Sequence, residues 1–251
     1  MYEKIGEFDF CEKCGIARKI QLAGCPKPHR QLCACEAEQE RQRQYNFNHR
    51  TLLSKLTRDC FYPNDLSHKT FAKDDVGNEE LTAIAKKYVE EFEEHRKNGK
   101  GLLLFGECDV GKSYIAACIA NALIEKEIAV RMTNFANIAS SVEGWGSRKE
   151  YIDHLLSFRV LIIDDLNAER DNGYMNEIVY QVIDTWTSAN KPLIVTTNLT
   201  GEQLKKPKIV AHNRIYSRLF EKCIPYEVKG VHRRNRECVE YTREFMKGVC
   251  V

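Results

Sequence analysis

The run from Gly106 through Glu107, Cys108, Asp109, Val110, Gly111, Lys112 and Ser113 carries glycine at its first and sixth positions and a Lys-Ser pair at its end. This spacing makes a cradle for a phosphate chain. The glycines let the backbone fold back with its N–H groups inward, Lys112 brings a cation to the β- and γ-phosphates, and the Ser113 hydroxyl is placed to ligate Mg2+. A second group of candidates ends the stretch Val160 to Leu166, which is too uniformly apolar for a half-exposed sheet and closes on Asp164 and Asp165. Asp164 is suited to hold Mg2+ through water and Asp165 to polarise an attacking water. Alone, either stretch reads as an ordinary turn, a glycine turn before a core helix or an Asp-capped strand end; their order in one chain points to nucleotide chemistry. The strand Pro192 to Thr197 finishes on Asn198, whose amide can donate and accept at a γ-phosphate or lytic water. Arg214 and Arg218 lie one helical turn apart. They suit an arginine finger reaching into a neighbouring subunit, a device worth about 10³ to 10⁵ in rate, or simply a solvated basic helix face.

Eleven cysteines raise a separate question. Five crowd the first 35 residues: Cys11 and Cys14, then Cys25, then Cys33 and Cys35, with His29 between. Two close pairs resemble a zinc ribbon, because each short turn offers two thiolates to one tetrahedral ion. Cys11, Cys14, Cys33 and Cys35 are the expected Zn2+ ligands, with Cys25 or His29 as substitutes. A segment this short cannot fold on apolar burial alone, so metal would supply its stability. Cys60, Cys108, Cys118, Cys223, Cys238 and Cys250 are scattered and are assigned no chemistry. Cys108 lies in the phosphate loop and is open to oxidation, with packing as its default explanation.

The elements that must position these groups show as patterns. Leu102 to Phe105 is an apolar strand feeding the glycine loop, and Tyr114 to Lys126 is the helix leaving it. Ala129 to Met132 reads as a short strand, and Asn134 to Phe158 as one or two helices broken near Gly144, Trp145 and Gly146. Gly173 to Ala189 is a helix with Ile178, Val179, Val182, Ile183 and Trp186 inward; Glu79 to His95 reads as one amphipathic helix, and Asp59 to Asp75 as irregular. Regular alternation of strand and helix implies an α/β fold, a parallel sheet with right-handed crossovers and a nucleotide at the carboxyl ends of its strands. At 251 residues and 43% hydrophobic content, the chain has one substantial core and a small module to spare. We divide it into a zinc-ribbon-like module over 1–40, a polar connector helix over 41–60 and an ATPase domain over 61–251. Lys and Arg total 38 against 36 Asp and Glu, so net charge predicts no avid polyanion binder but leaves room for local basic patches. No window approaches the ~20 apolar residues of a membrane span, and the start lacks the pattern of a secretory leader. The expectation is a soluble, cytoplasmic protein without membrane partners.

Taken together, the segment Lys100 to Ser113, the stretch Leu161 to Leu166, Glu169-Arg170, the strand Pro192 to Leu199 and the run Arg214 to Arg218 resemble the DnaC-type replicative helicase loaders and the related IstB-like AAA+ ATPases. The likeness covers roughly residues 60 to 235. It implies a three-layer AAA+ P-loop fold with sheet order like 5-1-4-3-2, Asn198 as sensor 1, and binding of ATP with Mg2+. It also implies contact with single-stranded DNA, self-association through the ATPase domain, and delivery of a replicative DNA helicase hexamer. The cysteine module is similar to the loader branch, in which a zinc-bearing N-terminal domain engages the helicase; transposition helpers of the same family usually lack it.

Two departures stand out. AAA+ proteins typically place Glu where this chain has Asp165, and a side chain one methylene shorter sets its carboxylate ~1.5 Å farther back, which predicts slow hydrolysis. The residues after Glu227 are too few for a full helical lid, so no second sensor is assigned, although Arg233, Arg234 and Arg236 lie nearby. For DNA, Arg131, Arg148, Lys149 and Arg159 flank the helical insertion, with Phe135, Trp145 and Tyr151 as candidate stacking surfaces, against the plainer reading that aromatics at helical spacing belong to the core. Three functions fit: a helicase-loading ATPase, a transposition helper that recruits a transposase, or a weakly hydrolysing ATP-gated adaptor. A small-molecule kinase fits less well, because no further phosphate-clamping lid follows the core.

Overall fold

The computed structural model describes residues 10–17, 19–20, 27, 29–30, 32–74, 77–144, 146–166, 173–207, 210–230, 242–243 and 245–246. Trp145, Glu169, Arg170, Cys25, Cys238, Cys250, Arg233, Arg234 and Arg236 lie outside them, and of His29 only the backbone is described. Contacts divide the chain into two units, 1–54 and 55–251.

In the first unit a two-residue antiparallel pair, β1 (Lys19–Ile20) and β2 (His29–Arg30), precedes helix α1 (Ala34–Phe61), which continues across the unit boundary. The polar run expected as a connector over 41–60 is therefore part of a longer helix. Its sequence carries almost no apolar periodicity, and only Cys60 and Phe61 are buried. Same-face pairs support it: Glu38 with Arg41, Gln42 donating to Asn46 at 3.0 Å and Gln44 to Asn48 at 2.9 Å, each contributing about 0.2–0.5 kcal/mol.

The second unit continues through an irregular stretch with a short 3₁₀ turn at Phe71–Lys73, then α2 (Glu79–Glu90) and α3 (Phe92–Asn98). The stretch expected as one helix over 79–95 is broken at Glu91, whose ψ of 14° ends α2. Next come β3 (Gly101–Phe105), α4 (Lys112–Glu125), β4 (Val130–Asn134), α5 (Phe135–Gly144), α6 (Arg148–Leu156), β5 (Val160–Leu166), α7 (Gly173–Ser188), β6 (Leu193–Thr197), α8 (Gly201–Lys205), α9 (Val210–Lys222) and β7 (Cys223–Glu227). The sheet is wholly parallel, in the order β4-β5-β6-β3-β7. Numbered within this sheet and read from β7, that is the expected 5-1-4-3-2. The resemblance implied a fifth strand, but no residue pattern located it at β7. Pro225 argues against a strand, and it is tolerated here because β7 pairs on one side only, with β3.

Strand side chains alternate faces. Leu103, Leu161, Ile163, Leu193 and Val195 join Ile138, Ile178, Val182, Ile183, Trp186, Ile215 and Leu219 in one buried cluster beneath α5, α7 and α9. The intervening residues, such as Leu102, Leu104, Ile162 and Ile194, are equally buried and serve the opposite face, where α4 packs on the sheet and α2 on α4. α4 is buried almost all round, with Ile115, Ala116, Ala117, Cys118, Ile119 and Ala120 at 0% exposure, which fixes the helix N-terminus that carries Lys112. Between β3 and β6 the backbones approach closely at Gly101, where an added Cβ would sit 1.7 Å from the carbonyl oxygen of Leu193. Only backbone displacement could relieve that overlap, so Gly101→Ala is expected to lower stability by at least about 2 kcal/mol, read as a fall in the urea midpoint with an unchanged slope.

Candidate functional site

β3 ends against a loop that only unusual backbone angles can form. Gly106 has φ +131° and Gly111 φ +95°, and Asp109 adopts φ +70°, a region that Asp tolerates better than most side chains. At Gly106 a Cβ would lie 2.5 Å from Val228 O, on the segment that continues β7 and donates Val228 N–H to Phe105 O at 2.7 Å. Val110 is buried and pins the loop, whereas Glu107, Cys108 and Ser113 face solvent. Lys112 opens α4 with its side chain 5% exposed. Its Nζ donates to Gly106 O at 3.0 Å and to Glu107 O. Burial pulls the Lys112 pKa below the ordinary lysine range, opposed by the nearby Cys108, Asp165, Asp164 and Asp109.

The acidic pair reaches the same cleft through a break in strand alternation. Adjacent residues of a regular strand point to opposite faces, which would leave one of Asp164 and Asp165 on the wrong side. Between β5 and β6 the register runs Ile163 to Val195 and then Leu166 to Thr197, so two aspartates stand opposite the single Thr196. This is a β-bulge, with Asp165 in the left-handed region at φ +56°, at a cost of about 1–2 kcal/mol. Thr196 stitches the bulge together: its Oγ1 accepts the Asp165 N–H at 2.8 Å and donates to Asp164 Oδ1 at 2.6 Å. Asn198 Nδ2 donates to Asp165 Oδ1 at 2.6 Å. One cleft of about 520 Å³ is lined by Cys108, Asp109, Gly111, Lys112, Ser113, Asp164, Asp165, Thr196 and Asn198, and on another side by Asn64, Leu66, Lys69 and Tyr114. Thr196 and the Asn64–Lys69 wall were not singled out from sequence. A strand threonine carries no signal of its own, and the wall comes from a stretch with no periodicity.

The two arginines of α9 separate. Arg218 is engaged within its own chain, with Nε 3.0 Å from Asp184 Oδ1 and Nη1 3.2 Å from Glu221 Oε2. Arg214 is exposed and makes no ion pair among the described residues. The basic residues considered for DNA separate too. Arg131 Nη1 donates to Asp59 O at 2.7 Å, while Arg148 donates to Gln181 Oε1 at 2.9 Å and stands 5.6 Å above the Tyr174 ring. Phe135 and Tyr151, proposed as stacking surfaces, are 5% and 2% exposed and belong to the core. Aromatics at helical spacing more often pack in a core than stack on a ligand, and α5 and α6 bury both. Among the described residues an exposed aromatic beside the insertion is Tyr174, at 52%.

In the first unit the Sγ atoms of Cys11, Cys14, Cys33 and Cys35 all lie within 4.8 Å of one another. Zn–S bonds of about 2.3 Å place the sulfurs of a tetrahedral site about 3.8 Å apart, so this donor set fits such an ion. The amides of Cys14 and Lys13 hydrogen-bond the Cys11 sulfur and hold its pKa down to about 7, in a turn closed by Gly15 N–H to Cys11 O at 2.8 Å. The second pair works as Cys-x-Cys because α1 starts there. Glu36 N–H donates to Cys33 Sγ while Cys33 N–H donates to Glu36 Oε2, both at 3.4 Å, a reciprocal cap with sulfur in the usual place of a hydroxyl. Cys35 follows in the first helical turn. By contrast, Cys60 and Cys223 are core residues whose burial pushes each thiol up to about 12.

The sequence profile of the family described as IstB-like ATP binding protein matches residues 36–239. The replicative helicase loader DnaI of Bacillus subtilis (strain 168) is 24% identical over 195 residues, which span 72% of this chain and 63% of that protein. The replicative helicase loader DnaC of Escherichia coli (strain K12) is 27% identical over 127 residues, 49% of this chain and 51% of that one. The chain thus spans between half and two thirds of the length of these curated relatives. Among solved structures, a putative primosome component from Streptococcus pyogenes serotype M3 superposes with a TM-score of 0.59 at 26% identity, covering 72% of this chain and 97% of that one. Among the described residues no helix is long and apolar enough to cross a membrane. Because Thr196 satisfies both the Asp165 amide and the Asp164 carboxylate, Thr196→Val is expected to cost about 1–2 kcal/mol through an unpaired, half-buried N–H, whereas Thr196→Ser stays within about 1 kcal/mol of wild type. Chemical denaturation of the two variants separates these outcomes.

Proposed function

The chain belongs to the IstB-like ATP-binding protein family, and from that premise we propose that it is an ATP-dependent loader of a replicative DNA helicase. The observation that carries this reading is the convergence of Lys112 and Ser113 with Asp164, Asp165, Thr196 and Asn198 on one cleft. In this reading the amides from Gly106 to Ser113 receive the phosphates, Lys112 neutralises them, and Ser113 with Asp164 holds Mg2+. Bound there, the metal would offset the negative charge of the phosphates. Asp165 accepts a proton from, or orients, the attacking water while Asn198 fixes the position of its carboxylate. Because Asp165 is short and gripped by Asn198, turnover is slow, and ATP acts chiefly by shifting the protein between partner-bound states.

Self-association through the ATPase unit would complete the site. With Arg218 held by Asp184 and Glu221, the exposed Arg214 is the better candidate for the finger that reaches a neighbouring subunit's γ-phosphate. For single-stranded DNA, Arg148 and the exposed Tyr174 beside it offer a cation and a ring for backbone and base, with Lys149 on the same insertion. The four cysteines near the amino terminus bind Zn2+, and their module engages the helicase hexamer. That module favours the loader over the transposition helper. The protein acts in the cytoplasm, where reduced thiols are available to the metal.

Lys112→Ala is expected to weaken ATP binding at least about tenfold, the loss of one charge-assisted contact, while leaving zinc content intact; undiminished binding and turnover would remove the nucleotide reading. Co-precipitation with a replicative helicase, with and without ATP, tests the partner: retention that responds to nucleotide is expected, and no retention in either state overturns loading. Charge reversal at Arg148 and Lys149 should lower single-strand affinity and flatten its salt dependence by about one to two ion equivalents; an unchanged slope would place the DNA elsewhere.

A further inference from the structure

The nucleotide cleft has a wall that belongs neither to the glycine loop nor to the acidic strand. After α1 ends at Phe61, the chain crosses α4 as a strap before α2 begins, and Asn64, Leu66 and Lys69 of this strap face the cleft. Two side chains of α4 hold it. Asn121 Nδ2 donates to Leu66 O at 3.0 Å and to Lys69 O at 2.7 Å, and the Tyr114 hydroxyl donates to Lys73 O at 2.6 Å. Asn121 is 8% exposed and also donates to Ala117 O of its own helix at 3.1 Å, which holds the amide in place beneath the strap. The helix that presents Lys112 and Ser113 thus also fixes the strap, and the two walls keep a common frame.

Lys69 is the cation this frame delivers. Its Nζ lies 4.8 Å from the centroid of the Tyr114 ring, and Tyr114 directly follows Ser113, whose hydroxyl marks the metal and terminal-phosphate end of the cleft. Among the described lining residues, Lys69 and Lys112 are the cations, against the carboxylates of Asp109, Asp164 and Asp165. A cleft with an acidic excess repels the polyphosphate it must hold, and Lys112 with one divalent ion offsets only part of a triphosphate's charge. We propose that Lys69 is a second phosphate-binding cation of this site, acting in cis on the terminal phosphate and so making the protein discriminate a nucleoside triphosphate from the diphosphate. This inference rests on the reading of the cleft as the ATP site.

The test compares ATP and ADP affinities, with Mg2+, for full-length wild type, Lys69→Met and Lys112→Ala. Met keeps an apolar chain over the Tyr114 ring while removing the charge. Lys69→Met is expected to weaken ATP by about tenfold, as for one charge-assisted contact, and to leave ADP within about twofold; Lys69→Arg should recover most of the ATP affinity. Equal weakening of both nucleotides, or no weakening of either, overturns the assignment of Lys69. If wild type binds neither nucleotide, the ATP site falls and this inference with it. If wild type binds both, Lys112→Ala loses ATP and Lys69→Met matches wild type, only the role of Lys69 falls.

Discussion

Neighbouring carboxylates on a parallel strand face opposite sides of the sheet unless the strand gives up its alternation, and the candidate site depends on how β5 does so. The bulge at Asp164 and Asp165 places two acidic groups at one strand end, at the cost of a left-handed aspartate. The cost is offset locally. Thr196 gives the displaced Asp165 amide an acceptor and the Asp164 carboxylate a donor, and Asn198 donates to the Asp165 carboxylate. Because β6 lies between β5 and β3 in the sheet, the residues that secure the bulge stand beside the strand that feeds the glycine loop. Sheet order alone thus brings the phosphate cradle and the acidic pair together.

The two units are held by different physics. The second rests on a sheet buried on both faces, with Trp186, Leu103, Ile162 and their neighbours fully enclosed, and can keep functional strain at Asp109 and Asp165 because the surrounding core is large. Among its described residues the first buries only Cys11 and Cys33. Its order centres on four sulfurs, a turn whose amides point at Cys11, and a helix start capped by Cys33. A metal ion held by these sulfurs would add its binding free energy to that of folding.

Much of the second unit was legible in the sequence because its signals are local. An apolar run before a glycine loop, a helix after it, and apolar strands ending in Asp164 and Thr197 each declare themselves within a few residues, and the alternation of elements constrains the sheet. The less legible parts depended on partners far along the chain. β7 hid behind Pro225, which is acceptable only at an edge. The break at Glu91 interrupts a run whose apolar spacing continues through it. Phe135 and Tyr151 could be read as stacking surfaces or as core, and only packing decided for the core.

Residue types and spacing by themselves determined the α/β class, the phosphate loop, the acidic strand end and the pairing of cysteines, since each is a property of a short segment and its chemistry. Tertiary structure alone decided which of these groups meet. It set both aspartates toward one cleft through a bulge that no propensity announces, tied Arg218 to Asp184 while leaving Arg214 exposed, and laid the Asn64–Lys69 strap along α4 beside the phosphate loop. Those outcomes follow from register and packing between distant segments, where the energy of a contact belongs to the pair and is written in neither sequence alone.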